Sequence, residues 1–443
     1  MTKITQAPAD FPTGGAPHRS GDRPKIVKSG GFGGIGRALA IRDFRIYSIG
    51  NITSLLGSWM HRMALGWLTW ETTQSPALLG TVAFCAMVPP MILGPISGTI
   101  ADRIGSRPTA RVAMLCEAVN ILVLGSLVAS GLITIHLLIL LALLQGIFFS
   151  FDFPVRHALV PELVPRSELS SAIAVNTATF HVTSFVGPVL GGFVIAQFGM
   201  APAFFFNAGA FIFFFFILKT LTLNRVAHSG GRGFFYDLVD GFRYTFTHPS
   251  IRYIFILGIA CHIMMRPYYD LLPAFADQVF HRKIDGLTIL AAASGLGGLV
   301  AGIGLAVRGR MQGLTKGLIW STAISATFLA AFAVVPYIWP SIWVAVAMLI
   351  PVGMGLVVAG IASQSLTQNV VDPAKRARVV GLSASFATGG PALGALALGW
   401  LGEYFGLGPP LAASSLLLVA LVIWAAPRLT PQRYEIESDS HPR

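Results

Sequence analysis

The sequence predicts an all-α polytopic membrane protein, with twelve transmembrane helices in two pseudo-symmetric six-helix bundles. Three observations lead there. Of 443 residues, 54% are hydrophobic and only 11% charged, where ordinary soluble domains carry roughly 25% charged residues. Mean hydropathy is +0.70, and the apolar residues gather in runs of about 20, the length that crosses a hydrocarbon core of about 30 Å. These runs are continuous, without the alternation of a membrane barrel, so helices are the spanning element. Finally, residues 164–199 parallel residues 371–406. Each passes from a Pro-containing connection through Gly-Pro-x-x-Gly (Gly187, Pro188 and Gly191; Gly390, Pro391 and Gly394) to Phe-Gly. A repeat of this kind belongs to transporter architectures with a site between the halves.

Residues 1–40 are rich in Gly, Pro and charge, have no apolar core of a signal peptide, and read as a flexible tail. Residues 41–221 hold the first bundle, with spans at 44–70, 77–100, 111–130, 133–153, 169–197 and 201–220. The longest connection, 222–250, follows, and its segment 234–249 has aromatic residues at helical spacing among charges, the pattern of an amphipathic helix on a membrane surface. The second bundle, 251–428, has spans at 251–275, 287–307, 317–336, 339–361, 380–402 and 410–427, and 429–443 form a second tail.

Charge then gives orientation. The net charge is +12, yet no basic face interleaved with aromatic residues suggests a nucleic acid partner. Every Lys and Arg except Arg62, Arg266, Arg282 and Lys283 falls in the tails or in connections on one side. The positive-inside rule makes that side cytoplasmic, with both termini inside a bacterial inner membrane. Cys85, Cys116 and Cys261 all sit in apolar runs, where a small packing side chain is the ordinary role; neither a disulfide framework nor a metal site is expected. No Gly-x-x-x-x-Gly-Lys-Ser/Thr loop occurs, so ATP is not the direct energy source. No cofactor and no enzymatic activity are expected.

Between the second and third spans stands Gly98-Thr-Ile-Ala-Asp102-Arg103-Ile-Gly105-Ser106-Arg107. This resembles the loop signature of the major facilitator superfamily. Further residues bring it close to the enterobactin-exporter-like branch of bacterial efflux proteins: Gly57-Ser-Trp59-Met60, Gln74-Ser75-Pro76, Pro89-Pro90, Phe151-Asp152-x-Pro154-x-Arg156 and Gly187-Pro188-x-x-Gly191-Gly192. The similarity covers about residues 42–427. It implies a latch in which Asp102 meets the N-terminal end of span 11, with Gly98, Arg103, Gly105, Arg107 and Asp152 in the same device. Ser106 stands where the signature often has arginine, leaving Arg107 or Arg103 to relay charge to Asp152. Ala142-x-x-Gln145-Gly146 lacks the arginine of the drug-antiporter pattern. For Gly187-Pro188 two roles stay open, close packing on span 1 or span 8 and a hinge.

A charge near the bilayer centre costs at least about 2.5–3.5 kcal/mol on insertion scales, so a retained one signals function. Arg62 in span 1 and Arg266 in its counterpart, span 7, are predicted to line a central cavity with His61, His262 and His181, forming a positive site for an anionic or hydrogen-bond-rich substrate. Snorkelling to the interface is the alternative. Asp270, four residues after Arg266, is expected to share a helix face with it, as a proton-coupling carboxylate or as its neutralising partner. Glu117 is the second proton-coupling candidate, alternatively a partner of Arg103 or Arg111. The resemblance implies a monomeric secondary transporter that exports a small organic molecule, siderophore-like, drug-like or amphipathic, by alternating access coupled to protons within the lipid bilayer. A non-transporting membrane sensor or assembly factor on the same fold is the rival reading.

Overall fold

The computed structural model describes residues 32–221, 234–308, 311–372 and 375–437. The expected tail before residue 32, part of the long connection and residues 438–443 lie outside the described residues. No strand occurs among the described residues.

The first half comprises α1 (Phe32–Ala40), α2 (Arg42–Thr73), α3 (Pro76–Ile104), α4 (Ser106–Ala129), α5 (Ile135–Leu163), α6 (Leu169–Phe198) and α7 (Met200–Thr220). A surface helix, α8 (Phe234–Thr247), leads into the second half. There, α9 (Pro249–Ala260) and α10 (Tyr268–Ala274) are one interrupted helix carrying π turns at Cys261–Met265 and Phe275–Val279. Then come α11 (Lys283–Arg308), α12 (Leu314–Ile338), α13 (Ile342–Val370), α14 (Arg376–Phe405), α15 (Gly408–Leu429) and α16 (Arg433–Glu437). Ten of these helices are long and apolar enough to cross a membrane, and Pro249–Val279 is an eleventh. The twelfth long helix is α2. Its 32 residues include Asn51, His61, Arg62 and several hydroxyls, which lower its hydropathy because one face serves the interior of the bundle.

One departure from the sequence expectation stands out. Residues 32–40 do not continue the tail; they form α1, which buries Ala38 and pairs Arg37 with Glu168 at 3.2 Å. The amphipathic segment is helical as expected, and α8 meets the Pro249–Val279 segment at 108°, so it runs nearly perpendicular to the spans. His248 starts α9 by accepting the Ile251 N–H at 3.4 Å, with Pro249 in the first turn where its missing N–H costs nothing.

The repeated Gly-Pro segments pack alike in both halves. A Cβ on Gly191 of α6 would stand 3.2 Å from the Met60 Cα of α2, and one on Gly390 of α14 would stand 3.3 Å from the His262 Cβ. Gly187 meets Trp59, and Gly394 meets Ile263 and Pro267. Helix 5 of each repeat therefore lies backbone-close on helix 1 of that repeat, an approach only small residues permit. Of the two partners open from sequence, Gly187 and Gly191 take α2, whereas the adjacent Gly192 faces Thr288 of α11 across the halves.

Two apolar cores result. One draws its buried residues from 38–221. The other, from the second half, also takes Met63, Trp67, Trp70 and Leu79 from the first. These four lie toward the end of the bundle remote from the termini. At the terminal end, α16 closes the second half differently. Its Glu437 carboxylate accepts the Gly313 N–H at 2.6 Å and the Thr315 N–H at 2.8 Å, capping α12, while Asn369 donates to the Ile436 carbonyl at 2.7 Å.

Burial works against the charge of Glu437, but these backbone donors outweigh it and hold the carboxyl below the usual carboxylate range. Its stabilisation is therefore complete above the unfolded-state value and is lost as pH falls through the lower folded-state value. Glu437→Ala is expected to cost about 0.5–2 kcal/mol, as loss of a helix N-cap does. Thermal unfolding of the purified protein at neutral pH checks this, and the gap between wild type and variant should narrow on acidification below about pH 4.

Candidate functional site

Six side chains on three elements define the sealed end of a central cavity of about 870 Å³: Trp59 and Arg62 from α2, Phe180 and His181 from α6, and Arg266 and Tyr269 from the α9–α10 segment. Its walls continue to Ser150 and Pro154 of α5 and to Gln364, Thr367 and Arg378 of α13 and α14. These last residues lie toward the terminal end of their helices, so the cavity extends in that direction.

Beyond Arg62 the halves are joined. Arg62 Nη2 donates to Asp270 Oδ1 at 2.8 Å and Oδ2 at 3.1 Å, and Nε donates to Oδ1 at 3.2 Å. The guanidinium also lies over the Tyr269 ring at 5.2 Å and the Trp59 ring at 6.0 Å. Further out, Trp70 Nε1 donates to Asp277 Oδ2 at 2.9 Å. At the rim, Glu403 accepts from Ser75 Oγ at 2.6 Å and from the Ala77 N–H at 3.1 Å. Glycines bring the facing backbones together over the same region. A Cβ on Gly399 of α14 would stand 2.5 Å from the Pro76 carbonyl of α3, and one on Gly295 of α11 would stand 2.8 Å from the Phe185 Cα of α6.

The geometry revises several site expectations. Asp270 pairs with Arg62 of the opposite half, not with Arg266 on its own helix. Arg266, in turn, makes no side-chain hydrogen bond or ion pair among the described residues, although it interacts electrostatically with Asp270, Arg62, His181 and His262. His181 and His262 line the cavity with it. His61 does not: one residue from Arg62, it turns about 100° around α2 and packs, 8% exposed, on Phe204 at 5.3 Å between ring centroids.

Glu117 is no partner of Arg103 or Arg111. α4 begins at Ser106, five residues earlier than the predicted span, which puts Glu117 near mid-helix and fully buried. The expected relay from Arg107 or Arg103 to Asp152 is likewise replaced. Asp152 pairs with Arg156, one turn later on α5, at 2.5 Å. Arg107 donates to the Lys219 carbonyl and Arg103 is exposed. Gly105, at φ +105°, makes the turn between α3 and α4 that a side chain would strain. Gly98 and the Asp102 side chain lie outside the described residues.

A family model described as "transmembrane secretion effector" matches residues 37–442. The chain belongs to this family of major facilitator transporters. Among relatives of this transporter, the staphyloferrin A transporter of Staphylococcus aureus is 26% identical over 252 residues, 56% of this chain and 62% of that protein, under two thirds of its length. The enterobactin exporter of Salmonella typhi is 29% identical over 368 residues, 80% of this chain and 82% of that protein. A crystal structure of a bacterial homologue of the human lysosomal transporter Spinster, inward-facing and unoccupied, superposes with a TM-score of 0.64 at 14% identity, covering 93% of this chain and 100% of that one. The last likeness shows a common fold.

Sequence reasoning missed the outer contacts of this transporter. Asp277 falls just past the predicted end of span 7, and Glu403 just past that of span 11, so both read as loop acids. The missed signal was that each closes the same end of the bundle as Arg62. Tyr269 was also missed; its hydroxyl is buried without a partner among the described residues, beside the Arg62 guanidinium.

Removing one member of a buried ion pair strands the other charge, at roughly 3–5 kcal/mol. Arg62→Met and Asp270→Leu should each destabilise the purified transporter by that order, and the double variant by clearly less than their sum. Denaturant unfolding of the four proteins measures the coupling; additive effects would show that the pair does not hold the halves together.

Proposed function

We propose that this transporter exports a small organic molecule bearing an anionic group, siderophore-like, drug-like or amphipathic, by alternating access coupled to proton entry. The observation that carries the reading is Arg266, a cation without an ion-pair partner among the described residues, at the sealed end of a large cavity that also presents His181, His262, aromatic rings and apolar side chains. Its charge is compensated when a carboxylate or similar oxyanion enters, with forked donors suited to that geometry. His181 and His262 offer further hydrogen bonds, and Trp59 and Phe180 offer ring faces to an apolar body.

The relatives' printed functions support export as the direction of transport, and charge supports the orientation. One relative is named as an exporter of enterobactin and another as a transporter of staphyloferrin A. In this reading the terminal end, which carries the basic connections, is cytoplasmic and faces the inside of a bacterial inner membrane. The cavity then takes its cargo from the cytoplasm while the Arg62–Asp270 bond closes the far side. Asp270 and Glu117 are the proton-carrying carboxylates. With the outer end open, Asp270 takes up a proton from outside; on return to the inward-open state it releases that proton toward the cytoplasm and re-forms the ion pair with Arg62, so proton entry accompanies the return step. Functioning needs one copy of the chain and no cofactor.

Inside-out vesicles test the reading. With a proton gradient, wild-type vesicles are expected to accumulate an anionic aromatic cargo. Arg266→Ala should raise the apparent KM for anionic cargo roughly 10- to 100-fold, the equivalent of one charge-assisted hydrogen bond of about 1.5–3 kcal/mol, and should leave neutral cargo unaffected. Asp270→Asn should abolish gradient-driven accumulation while sparing exchange. Wild-type vesicles that accumulate none of a panel of siderophores and amphipathic drugs would favour the sensor.

A further inference from the structure

Away from the cavity, the first half buries a second ionisable cluster that cargo handling does not use. Arg156 of α5 donates through Nε to Asp152 Oδ2 at 2.5 Å and through Nη1 to Ser54 Oγ at 2.6 Å and Asn51 Oδ1 at 3.4 Å. Its guanidinium lies over Phe211 and Phe214 of α7, at 5.4 and 5.0 Å. Glu117 of α4 stands within electrostatic reach of Asp152 and Arg156. It is 0% exposed, and neither of its carboxylate oxygens has a hydrogen-bond partner among the described residues. Asp152 Oδ1 is also buried and, among the described residues, unbonded.

We propose that Glu117 and Asp152 hold one proton between them against Arg156, forming a proton-binding site in the core of the first half, separate from the cargo cavity. Charge balance is the first argument. Two carboxylates face one arginine, and the cluster is neutral only with a single proton on the acids. An ionised carboxylate without a hydrogen bond in a dry core is among the costliest groups a protein can bury, and it takes up a proton instead. Among the described residues, Arg156 is the one cation that acts on Glu117. α5 contributes Asp152 and Arg156, and α2 contributes Tyr47, whose hydroxyl donates to the Arg156 carbonyl at 3.4 Å. From α3 and α7, the other helices against α4, no charged group among the described residues acts on Glu117.

The second argument is placement. Ser150 and Pro154 of α5 line the cavity, whereas Asp152 and Arg156 are offset from them by two residues, about 200° around the helix. α5 thus carries the cavity wall on one face and the proton site on the other. At 0% and 1% exposure, Glu117 and Asp152 are shut off from water in this conformation. The proton exchanges only when α5 shifts, which is the property that ties proton binding to a conformational cycle. Pro154, inside α5, removes a backbone hydrogen bond where such a shift is easiest. The assignment of a coupling role rests on the proton-coupled reading above; the existence of the shared proton does not.

Infrared spectroscopy of the full-length transporter in lipid nanodiscs tests this with the proton itself as probe. At neutral pH the wild type should show the C=O stretch of a protonated, non-hydrogen-bonded carboxyl group, shifting slowly on transfer to deuterated water. Both Glu117→Gln and Asp152→Asn should abolish that band, because either one leaves one carboxylate for one arginine. If one variant fails to fold, the other and the wild-type deuterium shift still decide. Absence of the band in wild type, its survival in either folded variant, or immediate exchange with deuterium would overturn the proposal. These spectra need no cargo, so they can succeed while vesicle export fails, or the reverse.

Discussion

The arrangement depends on one desolvated ion pair. Arg62 and Asp270 sit in the outer halves of their helices, with side chains only 22% and 12% exposed. In such surroundings a lone arginine or aspartate is expensive, and each is tolerable only against the other. Because the two come from opposite halves, every conformation that separates the halves at that end must rehydrate or neutralise both. The Trp70–Asp277 and Ser75–Glu403 contacts lie beyond it, and the first-half residues Met63, Trp67, Trp70 and Leu79 join the second-half core around it. The glycine contacts between α3 and α14 and between α6 and α11 then allow backbone approach that seals the remaining surface.

Charge accounting connects this pair to the rest of the interior. Arg62 is balanced by Asp270, and Arg156 by Asp152. Two groups remain. Arg266 has a surplus positive charge and faces the cavity, while Glu117 has a surplus carboxyl and faces away from it. An anion suits the first and a proton suits the second. The two imbalances lie on opposite sides of α5 and the helices it packs with, so one helix borders both.

Much of the fold was legible in the sequence because hydrophobic run length and charge placement act locally. The repeat was legible too: Gly187–Gly191 and Gly390–Gly394 pack on helix 1 of their own half, an equivalence their shared spacing anticipates. Site pairings were less accessible. The expected Arg266–Asp270 pair assumes a regular helix, but Arg266 closes a π turn at Cys261–Met265, Pro267 follows it, and Asp270 bonds back three residues to the Pro267 carbonyl. That change of pitch turns Asp270 toward α2. His61 was misassigned because neighbours in sequence diverge by about 100° on a helix. Glu117 was misread through a helix boundary five residues late. Contacts such as Ser75–Glu403, between residues far apart in the chain, leave no local trace at all.

Pulsed electron resonance distances between spin labels on the two halves test the central claim most directly. One label pair, on Leu132→Cys and Ser341→Cys, reports the sealed end; another, on Ser167→Cys and Arg376→Cys, reports the terminal end. In the wild type the sealed-end pair should give a single short distance distribution. Asp270→Asn, which removes the charge without changing the shape, should lengthen that distance and shorten the one at the terminal end. Unchanged distributions at both ends in Asp270→Asn would contradict the account, because the halves would then be held by something other than this ion pair.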